Sequence, residues 1–400
     1  MTDRKKAAFV CSTYRQAGRD NTARFMGAMA LVDQVLKQDF NGDIFLAVVD
    51  DSPEPHKFLQ KMAQERPEQF LYLHVPARNG ISSELRSKFS QAIGMIPTDD
   101  DLANNPFWKK RIEQMVGWGK IVPFEDHFAA RISIKDHVFL DRPTIGTKKN
   151  VGVMAICETF GEPDYIMFAD DDDYRSGAYF TEVANALECY DFTRIHKYLT
   201  YVANGDKKEI WGVYDFPFPE DANGHFYPTE QMREEPILTS QIGENGKLVT
   251  MDGKYWFSRL AIAAWDPICN EGAVHNYRYD MWKRGLETFG ASSPSNMGED
   301  IILLREFTEH FGKSVRRGLV PFNDYSFVRT ADGNNASFVM FNRDTVEGGV
   351  PQWAQTYISH LKAAHTANTS GKDVNTESLK IADRLLKTDE YNPSAVFACK

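Results

Sequence analysis

The chain has 400 residues, of which 42% are apolar, and a net charge of −10. That is enough apolar sequence for a large core, and enough length for about two or three domains or one α/β domain with insertions. The acidic balance disfavours a constitutive polyanion binder, and five scattered cysteines without CxxC spacing argue against a disulfide framework or structural zinc and for a reducing compartment.

The opening, MTDRKKAAFVCSTYR, has too short an apolar stretch for a signal peptide. No run approaches the length of a membrane span, so the sequence predicts a cytoplasmic protein. AAFV (7–10) reads as a first buried strand ending in Cys-Ser-Thr. A helix follows, with Phe25, Met29, Val32 and Leu36 at helical spacing. IFLAVV (44–49) is a second strand, ending in Asp50-Asp51-Ser52-Pro53. Residues 56–66 read as helix, and LYLHV (71–75) as a third strand. This alternation is the grammar of a doubly wound, mainly parallel sheet with right-handed crossovers.

Residues 81–143 show no clean period and read as an insertion. Within it, Asp99-Asp100-Asp101 has no apolar strand before it and reads as a helix cap. From Thr144 a Gly-containing turn leads into a helix carrying Val151, Met154 and Ala155. YIMFA (165–169) is a buried strand, and four consecutive aspartates, Asp170 to Asp173, stand at its end. Residues 178–190 form an amphipathic helix, 198–215 strands, and 216–250 a Pro- and Gly-punctuated loop. Ile301 to Phe311 form an apolar-faced helix that starts beside Gly298-Glu299-Asp300. Two amphipathic segments, around 353–366 and 376–389, make up a helical tail. Each is too short to be stable alone, so they are expected to pack on the body or on a second copy, giving a homo-oligomer.

Four adjacent carboxylates repel one another, and most acidic runs are solvated loops. Here they follow a buried strand, where open α/β sheets bind ligands. Hard carboxylate oxygens gathered there suit Mg²⁺ or Mn²⁺ with a substrate phosphate. No Walker A or GxGxxG pattern occurs.

Four stretches together resemble the nucleotide-sugar glycosyltransferases of the GT-A fold, above all the inverting family two. They are FVCSTYRQ (9–16), LAVVDDSPEP (46–55), IGTKKNVGVMAI (145–156) and YIMFADDDDY (165–174). The resemblance covers about residues 5–340 and implies a GT-A domain over 1–345, with 200–340 its acceptor-side half and 346–400 a C-terminal helical extension. It implies a metal-dependent transfer from a nucleoside-diphosphate sugar, a UDP-sugar favoured, to an acceptor hydroxyl. The acceptor class is open among saccharide, protein and hydroxylated bases of nucleic acid.

A D-x-D reading makes Asp170 and Asp172 metal ligands, with Asp171 the alternative register and Asp172 favoured by alignment with the family's last motif aspartate. Asp51 accepts hydrogen bonds only, which suits an imide N–H or ribose hydroxyls. Thr13 and Arg15 follow the first strand and would contact the nucleotide, and Lys149 would neutralise phosphate. In SNMGEDIILL (295–304) the resemblance implies Asp300 as the base that takes the acceptor proton and Glu299 as its support. In YSFVRTADGNNASF (325–338) it implies a loop over the diphosphate, with Arg329, Asn335 and Ser337 matching. The chain departs from the family in its long insertion, in Lys149 where arginine is usual, and in lacking the loop's histidine. Rival readings are a retaining transferase, which needs no base at 299–300, and a nucleotidylyltransferase, which would want a Gly-rich loop after the first strand. A phosphatase of the haloacid-dehalogenase type would want Thr where Tyr174 stands, and a carbohydrate-binding module would need no metal.

Overall fold

The computed structural model describes residues 4–14, 31–32, 34–78, 80–110, 113, 142–171, 173–195, 197–203, 209–215, 239–242, 248–251, 275–292, 299, 303, 306–307, 310–311, 314–320, 325–331, 339–340, 346 and 348–369. Three parallel strands build the first half of the main sheet: β1 (Lys5–Thr13), β2 (Gly42–Asp50) and β3 (Phe70–His74). Between the last two runs helix α1 (Lys57–Glu65), which buries Leu59 and Met62. Three short helices follow, α2 (Ser83–Lys88), α3 (Ser90–Gly94) and α4 (Asp99–Asn104). Helix α5 (Ile145–Phe160) then leads to β4 (Tyr165–Asp170), which pairs parallel with β1 on the side away from β2.

The chain therefore reverses direction across the sheet between β1 and β4. The remaining strands are β5 (Asp173–Arg175), β6 (Phe192–Ile195), β7 (Lys197–Ala203), β8 (Glu209–Asp215), β9 (Thr239–Ile242), β10 (Leu248–Met251), β11 (His275–Arg278), β12 (Arg317–Val320), β13 (Phe327–Ala331) and β14 (Val339–Met340). The main sheet has the order β12-β6-β11-β4-β1-β2-β3, and β11 is its antiparallel member. A second sheet runs β5-β13-β7-β8, and a third β10-β9-β14. Helices α6 (Tyr179–Cys189) and α7 (Tyr279–Phe289) bury apolar faces on the main core, and α8 (Gln352–Thr369) closes the described chain. The fold is thus α/β, with a mainly parallel central sheet flanked by helices.

The core forms where the sequence is most continuously apolar. Ala7 to Cys11 are fully buried in β1, as central parallel strands covered on both faces require. Helix α5 lies close against β1 because Gly152 has no side chain. A Cβ there would stand 2.3 Å from Val10 Cγ1. Helix α6 buries Tyr179, Phe180, Val183, Ala184 and Leu187, an amphipathic spacing, and Phe180 stacks on Phe9 with ring centroids 5.2 Å apart.

Several readings shift on contact with the structure. Gly146 lies inside α5, whose N-cap is Thr144, so no turn intervenes there. The cap of α4 is Thr98, and the three aspartates fill the first helical turn, where Asp101 completes a capping box. Inside 216–250, a span read as loop, β9 and β10 pair as an antiparallel hairpin, and β14 adds to it from far along the chain. Part of the insertion is helical, and α3 is held from outside it. The Glu158 carboxylate of α5 accepts the Gln91 and Ala92 N–H groups at 2.9 and 3.1 Å. The segment around 376–389 lies outside the described residues.

Candidate functional site

In an open α/β sheet the crevice forms at the carboxyl ends of strands where the winding reverses, here between β1 and β4. The register sets Ser12 opposite Asp170 and Thr13 opposite Asp50. Three elements therefore deliver Ser12-Thr13-Tyr14, Asp50-Asp51 and Asp170-Asp171 to one edge. Thr13 ties two of them together, its hydroxyl donating to Asp171 Oδ2 at 2.5 Å with both side chains buried. Asp170 is half-buried beside it.

The paired aspartates at the end of β2 do different work. Asp50 is fully buried in the turn. It accepts the Ser52 N–H at 2.9 Å, the Ser52 hydroxyl, and the Tyr72 hydroxyl at 2.6 Å. Asp51 is buried at the β2 end and meets two cations. Lys148 Nζ lies 2.5 Å from Oδ1 and also donates to the Thr13 carbonyl at 3.2 Å. Arg142 lies 3.3 Å from Oδ2, and its Cζ sits 3.9 Å from the centroid of the Tyr14 ring. Lys148, Arg142 and Tyr14 were not singled out by the sequence. Lys148 and Lys149 are neighbours on a helix, about 100° apart, and only packing decides which of them faces the crevice.

Lys149 turns the other way. Its ammonium pairs with Glu299 Oε1 at 2.7 Å, with both side chains buried, and lies 5.4 Å from the Phe168 ring centroid. The next residue, Asn150, secures the turn that ends α7. It donates to the Gly290 and Ser292 carbonyls at 3.1 and 3.0 Å and accepts the Ser292 N–H at 3.0 Å. That turn uses left-handed backbone at Gly290 and at Ala291. Consecutive residues of α5 thus reach the β2 end, Glu299 and the turn after α7.

The second sheet joins the site through β5, which continues the aspartate run. Asp173 pairs in register with Arg329 of β13, so the last residue of the aspartate run lies beside the described start of the candidate segment 325–338. Both side chains are buried. Arg175 is buried as well, its Cζ 5.1, 5.4 and 5.0 Å from the rings of Phe9, Tyr179 and Phe327. The structure therefore brings Thr13, Asp51, Asp170 and Asp171 to one edge, pairs Lys149 with Glu299, and sets Arg329 beside the end of the aspartate run. Arg15, Asp172, Asp300, Asn335 and Ser337 lie outside the described residues.

Asp171 is fully buried and engaged by Thr13, whereas half-buried Asp170 offers hard carboxylate oxygens at the crevice edge. Mg²⁺ needs only one or two carboxylates when substrate phosphates supply further ligands, so Asp170 fits such a cation. Burial pushes the Cys11 thiol well above its usual range, and the Asp171 and Asp170 carboxylates push it further. The one thiol under the crevice among the described residues is therefore a neutral packing group and not a nucleophile.

No family model and no curated protein matches the sequence. Solved structures of TarS from S. aureus share 13% identity with it. TarS 1-349 gives a TM-score of 0.37 over 81% of this chain, its complex with UDP 0.36 over 82%, and its complex with UDP-GlcNAc 0.36 over 83%. The chain spans 60% of each of those structures, less than two thirds of their length. The functional reading rests on the strand order and the site geometry.

Proposed function

We propose that the protein is a metal-dependent glycosyltransferase of the GT-A type, moving a sugar from a nucleoside-diphosphate sugar to an acceptor hydroxyl with inversion. The observation that carries this reading is the meeting of Thr13, Asp51, Asp170 and Asp171 at the β1/β4 reversal. A donor of this class needs one end of the crevice to hold a base and the other to hold a diphosphate. Asp51 and Lys148 suit the base. The carboxylate accepts a ring N–H, and the ammonium, which donates to Thr13 and Asp51, can also donate to a neighbouring carbonyl. A carboxylate acceptor beside a cationic donor suits the N3–H and a flanking carbonyl of uracil, so a UDP-sugar is the favoured donor. The aspartates suit the other end, with Asp170 and Asp172 as ligands of Mn²⁺ or Mg²⁺, a cation that would neutralise the leaving diphosphate. Arg329, beside Asp173, adds positive charge on that side.

Inversion needs a carboxylate on the opposite face of the sugar to take the acceptor proton. The resemblance to the inverting family gives Asp300 as the base and Glu299 as its support, and the Lys149–Glu299 pair agrees with a supporting role. The acceptor is a hydroxyl on a saccharide, a protein or a modified nucleic acid. The test is a panel of UDP-sugars with Mn²⁺, read by release of UDP and by the anomeric configuration of the product in NMR couplings. Asp300→Asn should lower turnover by at least about 10²-fold while UDP binding persists. Full turnover in Asp300→Asn, or a product of retained configuration, would contradict the inverting assignment. Turnover undiminished by EDTA would contradict the metal.

A further inference from the structure

We propose that Arg142 occupies the place of the donor's nucleobase and must be displaced for the nucleotide to bind. This rests on the donor reading above and adds a contact that competes with it. The two oxygens of Asp51 are held very differently. Oδ1 faces Lys148 at 2.5 Å, and both of those side chains are almost wholly buried, at 2% and 4% exposure. Oδ2 faces Arg142 at 3.3 Å, longer than the roughly 2.7–2.9 Å of a strong charge-assisted bond. The Arg142 side chain is 31% exposed. The first contact is fixed and the second is open to exchange with a ligand.

The shape of the group matters as well. A guanidinium is flat, carries N–H donors and stacks on aromatic faces. Here it lies at stacking distance from Tyr14 while donating to Asp51. A pyrimidine with an imide N–H would use the same two partners, stacking on Tyr14 and donating to Oδ2. Both cannot be there at once. Lys148 remains in place in either state and holds Asp51 aimed. Arg142 thus screens Asp51 in the empty enzyme and weakens nucleotide affinity by the strength of a partly exposed ion pair.

The test uses the full-length protein with UDP, uridine and inorganic pyrophosphate as separate probes, each with Mn²⁺. Arg142→Ala should lower the Kd for UDP and for uridine about two- to five-fold, the range set by a partly exposed ion pair. The Kd for pyrophosphate should stay unchanged, because the competition concerns the base alone. Arg142→Lys, which keeps the charge but not the flat surface, should fall between wild type and alanine. Weaker UDP and pyrophosphate binding in Arg142→Ala would overturn the proposal and make Arg142 a phosphate contact. Unchanged uridine and UDP affinity would overturn it as well. If the wild-type protein binds no nucleoside diphosphate, the donor reading itself fails, a result distinct from failure of the competition.

Discussion

Adjacent identical residues in this chain have opposite duties. Asp50 is consumed by its own turn, where it holds Ser52 and Tyr72. Asp51 is turned toward Lys148 and Arg142. Asp51→Ala should weaken UDP binding by about 1–3 kcal/mol, the loss for a charged hydrogen bond, which titration calorimetry would measure. An unchanged Kd would reduce Asp51 to a turn residue. The Lys149–Glu299 pair makes a different prediction. Removing one partner leaves the other charge buried, so Glu299→Ala should cost about 3–5 kcal/mol of stability, while Glu299→Gln, which keeps an acceptor for the ammonium, should cost less. A midpoint for Glu299→Ala equal to that of the wild type would show that the pair is replaceable. The aspartates were legible in the sequence because each pair ends an apolar run, and a parallel strand delivers its last residues to the crevice. The lysines were not. Lys148 and Lys149 differ only in which way the helix turns them, and that depends on how α5 packs on β1, where Gly152 allows close approach to Val10.

Among the elements, α8 has a clear role in holding the second sheet. Trp353, Ala354, Tyr357 and Ile358 are buried in one cluster with Tyr174, Leu199, Tyr201, Val213 and Val328, the inner residues of β5, β7, β8 and β13. Tyr357 stacks on Tyr174 with ring centroids 5.2 Å apart and rings inclined by 15°. Tyr174 directly follows the aspartate run, so the helix braces the strand that extends it. Tyr357→Ala should destabilise by about 3–5 kcal/mol, as loss of a buried aromatic does, and Tyr357→Phe should be nearly neutral in thermal unfolding. A Tyr357→Ala protein that melts like wild type would show that α8 is not needed for this sheet. The amphipathic stripe of the tail was readable from helical spacing, but its partner was not, because the contacts join residues far apart in the chain. The β9–β10 hairpin escaped for a related reason. Its strands are short, and β14 joins them from far along the chain.

For the whole molecule, the half-sheet β3-β2-β1-β4 follows from the alternation of apolar runs and helices, and the winding reversal beside β1 locates the crevice. What the alternation did not reveal is the separate sheet β5-β13-β7-β8, which sets Arg329 beside Asp173 through pairing across more than a third of the chain. The site is therefore shared between two sheets. The central claim is that this shared edge holds a nucleoside diphosphate through a divalent cation. The most direct measurement is thermal unfolding with UDP, with and without Mn²⁺. At UDP about 100-fold above its Kd, linkage adds about 2.7 kcal/mol of stability, so the melting temperature should rise by several degrees with Mn²⁺ present. It should not rise in EDTA, and Asp172→Asn should abolish the gain. An equal rise in EDTA, or no rise with any nucleoside diphosphate in Mn²⁺, would contradict the account.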